Sequence, residues 1–167
     1  MTFLHPTSPA FIDANIFLHD VFAHPRYQAY CRTLLQKVES GEVNGVTSVM
    51  VLDEVLFKML IAEASQQYNV PLGQVPRFLK GDPDKISTLH QSWNNIERIQ
   101  TISNLWISDI SAADFSESVA LAQRYNLLPH DALHLAVIKR AGITSIITSD
   151  ADFDAVDWVT VFKPQEI

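Results

Sequence analysis

The chain has 167 residues, of which 47% are hydrophobic and 19% charged, a size and composition that fit one folded domain and exclude general disorder. The formal net charge of −7 excludes a surface that grips nucleic acid by positive charge alone. The single cysteine, Cys31, excludes an internal disulfide, and no stretch approaches the roughly 20 apolar residues that span a bilayer, so we expect a cytoplasmic protein.

Five short apolar segments alternate with longer segments of helical periodicity. The apolar segments predict strands at residues 10–13, 43–47, 105–109, 143–148 and 158–162. Helical periodicity and capping residues predict helices at residues 27–40, 48–68, 112–125 and 130–141. Parallel strands joined by helices need right-handed crossovers, so we expect an α/β fold with a mainly parallel five-stranded sheet covered on both faces.

The connection between the second and third predicted strands is almost sixty residues long, which exceeds a simple crossover. Residues 65–84 are rich in proline and glycine and read as an irregular linker. Asp82-Pro83-Asp84 is predicted to open a further helix, because Asp caps helices and Pro suits the first helical position. Its apolar face consists of Ile86, Leu89, Trp93, Ile96 and Ile99. We therefore expect a helical excursion around residues 65–102 within a single domain of residues 1–167.

Four acidic residues fall where an open parallel sheet collects ligands, outside the carboxyl ends of its strands. Asp13 ends the first strand, and Glu54 lies about two turns into the helix after the second. Asp131 opens a helix, and Asp150 follows the fourth strand. Each has an ordinary explanation, since acids favour helix starts and Glu54 can pair with Lys58 at i,i+4. Capping does not explain Glu54, which lies on a mostly apolar helix.

Four carboxylates that converge without comparable Lys or Arg would repel one another unless cations bind or some acids take up protons. Mg²⁺ and Mn²⁺ fit this set, because they take oxygen ligands and need only one or two carboxylates per ion. Zinc fits less well, because its usual His and Cys ligands are not clustered here.

These residues resemble the PIN-domain ribonucleases, which include the VapC-type toxins. The resemblance rests on Asp-Ala-Asn at 13–15, Glu54, Asp131-Ala132 and the segment Thr148-Ser149-Asp150-Ala151-Asp152-Phe153. It covers nearly the whole chain in order, and the last segment is its most specific part. It implies a three-layer α/β/α sandwich and a metal-dependent endoribonuclease that leaves 5′-phosphate and 3′-hydroxyl ends.

The resemblance also implies roles for individual residues. The family's four acidic positions carry over to Asp13, Glu54, Asp131 and Asp150, with Mg²⁺ or Mn²⁺ as cofactor. Asp152 is implied as a fifth, peripheral metal ligand. Asn15 and Thr148 match supporting positions, where Thr148 orients an acid or a water.

The implied partners are an RNA substrate and, for a toxin, a small antitoxin that covers the site. A homodimer is a further prediction. The apolar face of the 48–68 helix could supply a groove for either protein partner, although its pattern favours a role mainly in the core. The expanded segment leaves open an RNA-processing nuclease without an antitoxin. Two other classes stay open: a partner-binding α/β domain whose acids are helix caps, and an aspartyl-phosphate phosphatase, which Asn15 disfavours because that class has a second acid there.

Contacts to RNA would have to be local in so acidic a chain. The basic candidates are Arg26, Lys58, Arg77, Lys80, Lys85 and Arg98. Phe78 and Trp93 have rings that can stack on bases, although the helical pattern also favours Trp93 as a core residue. His130 and His134 lie near Asp131 and could contact phosphate, although a histidine at the position of His134, one turn along the helix, is more often packed than catalytic. We assign neither a catalytic role.

Overall fold

A five-stranded parallel sheet forms the centre of the computed structural model, which describes residues 9–165. The strands are β1 (Ala10–Ile12), β2 (Gly45–Ser48), β3 (Leu105–Ser108), β4 (Ser145–Ile147) and β5 (Thr160–Phe162). They lie in the order β3-β2-β1-β4-β5, and each neighbouring pair is parallel. All five predicted strands are confirmed, with bounds inside or within one residue of those expected.

Helices cover both faces of this sheet. Within residues 9–165 they are α1 (Ala14–Val21), α2 (Gln28–Glu39), α3 (Val49–Tyr68), α4 (Val75–Gly81), α5 (Asp84–Ser87), α6 (His90–Gln100), α7 (Ala112–Tyr125) and α8 (Pro129–Arg140). Helix α1 contacts α2 and α3, α3 contacts α6, and α7 packs on α8. Right-handed crossovers from β1 through β3 place the first group on one face, and the return to β4 places α7 and α8 on the other. The fold is the predicted α/β/α sandwich.

The core lies where the central strands meet the helices. Phe11 and Ile12 of β1 and Ile146 and Ile147 of β4 are fully buried, as expected for central parallel strands that carry helices on both faces. Gly45 of β2 permits close packing there. A Cβ at this position would approach the Val38 side chain of α2 to 2.9 Å.

Local capping explains why several helix bounds follow the sequence closely. The Ser48 side chain accepts a hydrogen bond from the Val51 amide and begins α3. Ser111 and Asp114 cap each other's backbone amides at the start of α7. Asn69 and Asn126 end these two helices in the left-handed conformation that asparagine tolerates.

The helical excursion is confirmed, but two details of its prediction were wrong. Residues 65–84 are not an irregular linker, because α3 continues to Tyr68 and α4 occupies Val75–Gly81, with Pro76 in its first turn. The helix expected from Asp82 is divided into α5 and α6. Asp82 does not cap it, because its carboxylate pairs with Lys85.

A long-range contact fixes the division between α5 and α6. Glu63 of α3 accepts hydrogen bonds from the Gln91 amide at 3.0 Å and the Ser92 amide at 2.7 Å. These amides lie in the first turn of α6, where backbone donors lack partners within the helix. Because Glu63 supplies the missing acceptors, α6 begins at His90 rather than continuing α5.

The excursion has a small core of its own. Ala64, Val75, Leu79 and Leu89 are buried together, with Tyr68 and Phe78 among the rings packed around them. This core ties the excursion to the second half of α3.

No helix within residues 9–165 is long and apolar enough to cross a membrane.

The apolar face of α3 faces inward, as its interpretation as mainly a core face requires. Leu52, Val55 and Met59 are buried in the main core. Leu56 packs against the same core, and Leu60 packs against the small core of the excursion. These side chains therefore contribute mainly to the two cores rather than to an open partner surface.

Candidate functional site

The predicted acids lie near the point where the strand order reverses. Strand β1 lies between β2 and β4, so the chain runs away from β1 in one direction and returns on its other side. Asp13 follows β1 directly, and its amide donates to the Ile147 carbonyl of β4 at 3.2 Å. Such a switch point is where open α/β sheets form their ligand sites.

Asp13 is held in one orientation by three donors. Its Oδ1 accepts from the Ala14 amide at 2.7 Å, so it caps α1 as the ordinary explanation of this residue requires. Its Oδ2 accepts from the Asn15 side-chain amide and from the Thr148 hydroxyl, both at 2.6 Å. Asp13 is 7% exposed. Burial raises its pKa above the ordinary value, while His134 and these hydrogen bonds oppose the rise.

Thr148 joins the loops that follow β1 and β4. Its hydroxyl donates to Asp13 and accepts from the Asp150 amide at 2.9 Å and the Asn15 side chain at 2.8 Å. One donor and two acceptor positions are the full capacity of a hydroxyl group. Asn15 Oδ1 in turn accepts from the Ser149 amide at 3.0 Å. The two predicted supporting residues thus set the distance between the loops of Asp13 and Asp150.

The loop of Asp150 is held from its other side as well. Asp150 Oδ1 accepts from the Asp152 amide at 2.9 Å. The Lys163 ammonium donates to the Asp150 carbonyl and pairs with Asp154 at 2.9 Å. Asp152 itself is exposed at the start of a 3-10 turn, Asp152–Ala155, so it lies at the edge of the site.

The pKa of Asp131 is changed by the neighbouring acids. It is half-buried in the first turn of α8. Its pKa is raised to about 6, first by burial and then by the charges of Asp150, Asp152, Asp13 and Glu54. The other four predicted acids therefore lie near enough to Asp131 to disfavour its charged form.

Glu54 has the ion pair that its ordinary explanation predicts. Its carboxylate lies 2.6 Å from the Lys58 ammonium and is 30% exposed. It also contributes to the raised pKa values of Asp13 and Asp131. Glu54 thus faces the shared site while Lys58 partly neutralises it.

The donor set fits a hard divalent cation. Its side-chain donors are carboxylate and hydroxyl oxygens, the ligand type that Mg²⁺ and Mn²⁺ select. Within residues 9–165, no group of three or more His, Cys, Asp or Glu side chains is arranged so that it could hold a metal ion by itself. Mg²⁺ does not need one, because it keeps several waters and is typically held by one or two carboxylates.

His134 was predicted to be packed, and it is. Its side chain is 2% exposed, and its ring lies 5.7 Å from that of Phe11. Burial lowers its pKa. Its Nδ1 has no hydrogen-bond partner among the described residues, although its charge influences Asp13.

The aromatic side chains proposed to stack on bases lie away from the acids. Phe78 packs in the core of the excursion, and Trp93 donates its indole N–H to the Ile86 carbonyl at 3.0 Å. The structure instead places His19, His24 and Tyr27 beside the loop of Asp150. Sequence reasoning missed these three because their approach depends on a turn after α1 that has no obvious sequence signal.

Acidic partners are present beside several of the basic candidates. Lys58 pairs with Glu54, and Lys85 pairs with Asp82 and lies over the ring of Phe78. Arg98 lies 3.4 Å from the buried Asp20, which also pairs with Arg32. The structure therefore provides no broad basic surface from these side chains.

Comparisons with known proteins agree with one another. A family model for the PIN domain matches residues 10–159. Ribonuclease VapC2 of Methanocaldococcus jannaschii is 27% identical over 154 residues, covering 92% of each chain.

Solved structures give the same fold. A toxin-antitoxin complex from Klebsiella pneumoniae aligns with a TM-score of 0.57 and 24% identity, over 95% of this chain and 99% of that one. VapC20 of Mycobacterium tuberculosis, described as a Sarcin-Ricin loop cleaving toxin, aligns with a TM-score of 0.60 and 15% identity, over 91% and 97% of the two chains. At these identities the likeness concerns the fold.

Proposed function

Since the chain belongs to the PIN-domain family, we propose that it is a metal-dependent endoribonuclease whose single domain spans residues 1–167. The observation that carries this proposal is the hydrogen-bonded unit of Asp13, Thr148 and the Asp150 loop at the switch point of the sheet. Ribonuclease VapC2 of M. jannaschii, which is similar over most of its length, supports RNA as the substrate class.

The acids have distinct roles in this proposal. Asp13, Asp131 and Asp150 would hold Mg²⁺ or Mn²⁺ directly or through water, and Asp152 would contribute from the edge. Glu54 orients the attacking water and can accept its proton. When bound, such a cation neutralises the phosphate oxygens, activates water and stabilises the leaving 3′ oxygen.

The supporting residues keep the acids in place. Thr148 and Asn15 use their hydrogen bonds to hold Asp13 toward the loop of Asp150, so little rearrangement is needed when substrate arrives. Lys58 reduces repulsion at Glu54 before substrate binds. Hydrolysis by this route needs no 2′-hydroxyl, so preference for RNA over DNA must come from shape or direct contacts.

The protein partner we propose is a small antitoxin, which makes the chain a toxin. Similar folds occur in the toxin-antitoxin complex of K. pneumoniae and in VapBC2 of Rickettsia felis. A basic side chain inserted among the acids would neutralise them as a cation does. Recovery of the native protein with a bound small protein would support this, and its consistent recovery alone would favour an RNA-processing nuclease.

The proposal also covers the cellular compartment of the protein and its oligomeric state. The thiol of Cys31 is buried, and burial followed by the nearby Asp20 raises its pKa to about 12, so it is a structural group that fits a reducing cytoplasm. A homodimer stays a prediction. It would have to use a face other than Leu52, Val55 and Met59.

Cleavage of labelled single-stranded RNA tests the proposal. The wild type should cut with Mg²⁺ or Mn²⁺ and not with EDTA. Asp13→Asn should cut about 100-fold more slowly or worse, since several kcal/mol of transition-state stabilisation depend on the cation. The fold should survive because Asn also caps helices well.

Asp53→Asn is the matched control. It removes the same charge from an exposed position next to Glu54, and it should cut at the wild-type rate. Equal cleavage by Asp13→Asn and wild type, or undiminished cleavage in EDTA, would overturn the proposal. No cleavage of a broad RNA pool by any of the proteins would favour a binding domain.

A further inference from the structure

Three aromatic rings form a compact group beside the carboxylate site. His19, His24 and Tyr27 are called the ring cluster below. The centroids of His19 and His24 are 4.5 Å apart, and those of His19 and Tyr27 are 5.2 Å apart. The rings of His24 and Tyr27 are stacked at 4.8 Å with an interplanar angle of 9°. All three side chains are half-buried, so parts of the rings face solvent.

The backbone after α1 builds this group. Ala23 has a φ of +52°, a left-handed conformation that an alanine rarely adopts, and it turns the chain back on itself. The His24 amide then donates to the His19 carbonyl at 3.0 Å. His24 Nδ1 lies 3.3 Å from the amides of both Arg26 and Tyr27 and accepts from them. The rings are therefore fixed before any ligand binds.

One hydrogen bond connects the ring cluster to the carboxylate site. His19 Nε2 lies 3.2 Å from Ser149 Oγ, and the Ser149 amide donates to Asn15. Ser149 directly precedes Asp150. His19 is four residues beyond Asn15 on α1, which corresponds to about 6 Å along the helix axis. The ring cluster thus lies at the rim of the site, on the side of the Asp150 loop.

Because the protein carries a net negative charge, contacts to RNA that do not depend on positive charge matter at this site. The net charge is −7, and the side chains of Lys58 and Arg98 are occupied by acidic partners. Burial, and then His24, lower the pKa of His19, which keeps its ring mainly neutral at pH 7. Stacking of bases on neutral rings adds affinity without positive charge.

We propose that the ring cluster is a stacking subsite for a nucleobase of single-stranded RNA next to the cleaved phosphate. The subsite rests on the proposed function, because it assigns the ring cluster to the substrate of that same site. Every nucleobase presents a π-face, so the subsite tolerates sequence while requiring an unpaired base.

Steady-state cleavage of single-stranded RNA by Tyr27→Leu is the first test. Loss of a stacking ring should raise KM about fivefold or more and change kcat less. Tyr27→Phe keeps the ring and should stay within twofold of wild type. Phe115→Leu is the control for an aromatic side chain elsewhere, since Phe115 is 61% exposed on α7. Melting temperatures identify any variant that fails to fold, in which case Tyr27→Ile replaces it.

Fluorescence provides an independent readout. In the cleavage-deficient Asp13→Asn background, RNA that carries 2-aminopurine beside the cleaved bond should lose fluorescence on binding, because stacking quenches this base. Tyr27→Leu should remove that quenching. If the wild type cuts RNA and Tyr27→Leu keeps both the wild-type KM and the fluorescence quenching, the subsite is overturned and the nuclease assignment is not affected. A wild type that neither cuts nor binds RNA would overturn both.

Discussion

Replacing Asp131 by Asn should stabilise the protein when no divalent cation is present. Burial and the neighbouring carboxylates raise the pKa of Asp131 to about 6 from an ordinary 3.8. Such an acid keeps its proton in the folded state at pH values where the unfolded chain has lost it. Its contribution to stability therefore becomes unfavourable as the pH rises from about 4 to about 6, and it stays unfavourable above that range.

The size of the effect follows from this difference in pKa. At 1.36 kcal/mol for each pH unit, the difference is worth at most about 3 kcal/mol. Asp131 is half-buried, so solvent screening reduces this figure. The carboxylate also favours the positive end of α8 by about 0.3–1 kcal/mol, which Asn loses. We expect Asp131→Asn to raise the free energy of unfolding by about 1–2 kcal/mol at pH 7.5.

Urea unfolding in EDTA measures this gain. The parent, Asp131→Asn and the exposed control Asp53→Asn are compared at pH 7.5 and at pH 4. The gain should mostly disappear at pH 4, where the Asp131 side chain carries little charge in the folded protein. Adding Mg²⁺ at pH 7.5 should stabilise the parent and the control, and it should stabilise Asp131→Asn much less.

Two results would refute the reasoning. One is an Asp131→Asn protein that is less stable than the parent in EDTA at pH 7.5. The other is a gain of the same size at both pH values, since repulsion among ionised carboxylates must weaken as they take up protons. An equal gain in Asp53→Asn would indicate a general effect of net charge rather than the site.

Three further predictions concern positions that hold the structure together. Thr148→Val should cost about 1–3 kcal/mol in urea unfolding and weaken Mg²⁺ binding in a thermal titration, because it removes three hydrogen bonds; Thr148→Ser should restore most of both. Arg140→Lys should lower the free energy of unfolding by about 1–2 kcal/mol, because a Lys ammonium cannot bond to the buried Asp114 and also to Ser108 and the Asp109 carbonyl after β3. An unchanged melting temperature would contradict this. Gly45→Ala should cost about 1–3 kcal/mol by forcing a methyl group against Val38, and a chevron or urea titration showing no loss would mean that α2 shifts freely.

The strands and several helices could be predicted because their signals are local. The strand of Ile146 and Ile147 lies in a segment rich in β-branched residues, 143–148, and both isoleucines are fully buried. Helix α7 begins at a Ser and Asp capping pair and ends at Asn126, and its predicted bounds are the observed ones. Periodicity and capping were sufficient for these elements.

The excursion shows where local signals fail. The predicted helix through Leu89 has the correct apolar spacing, yet it is divided because Glu63, far away in sequence, supplies the cap of α6. Proline and glycine between residues 70 and 84 favoured a linker, although Pro76 sits in the first turn of α4 without disturbing it.

The candidate site divides in the same way. Asp13 and Asp150 follow apolar strands, so topology alone predicts that they meet. The ring cluster depends on the left-handed turn at Ala23 and on the contact of His19 with Ser149, 130 residues further along the chain. Neither contact has a local sequence signal, so only the folded structure brings His19 to the site.

The Thr148 hydroxyl bond to Asp13 joins residues 135 positions apart, and this separation bears on how the protein is made. During synthesis on the ribosome, Asp13 leaves the exit tunnel long before the loop after β4 exists. Domains acquire contacts of this length late, because the intervening chain must first be ordered. The hydrolytic centre that we propose is therefore completed only after β4 has docked beside β1.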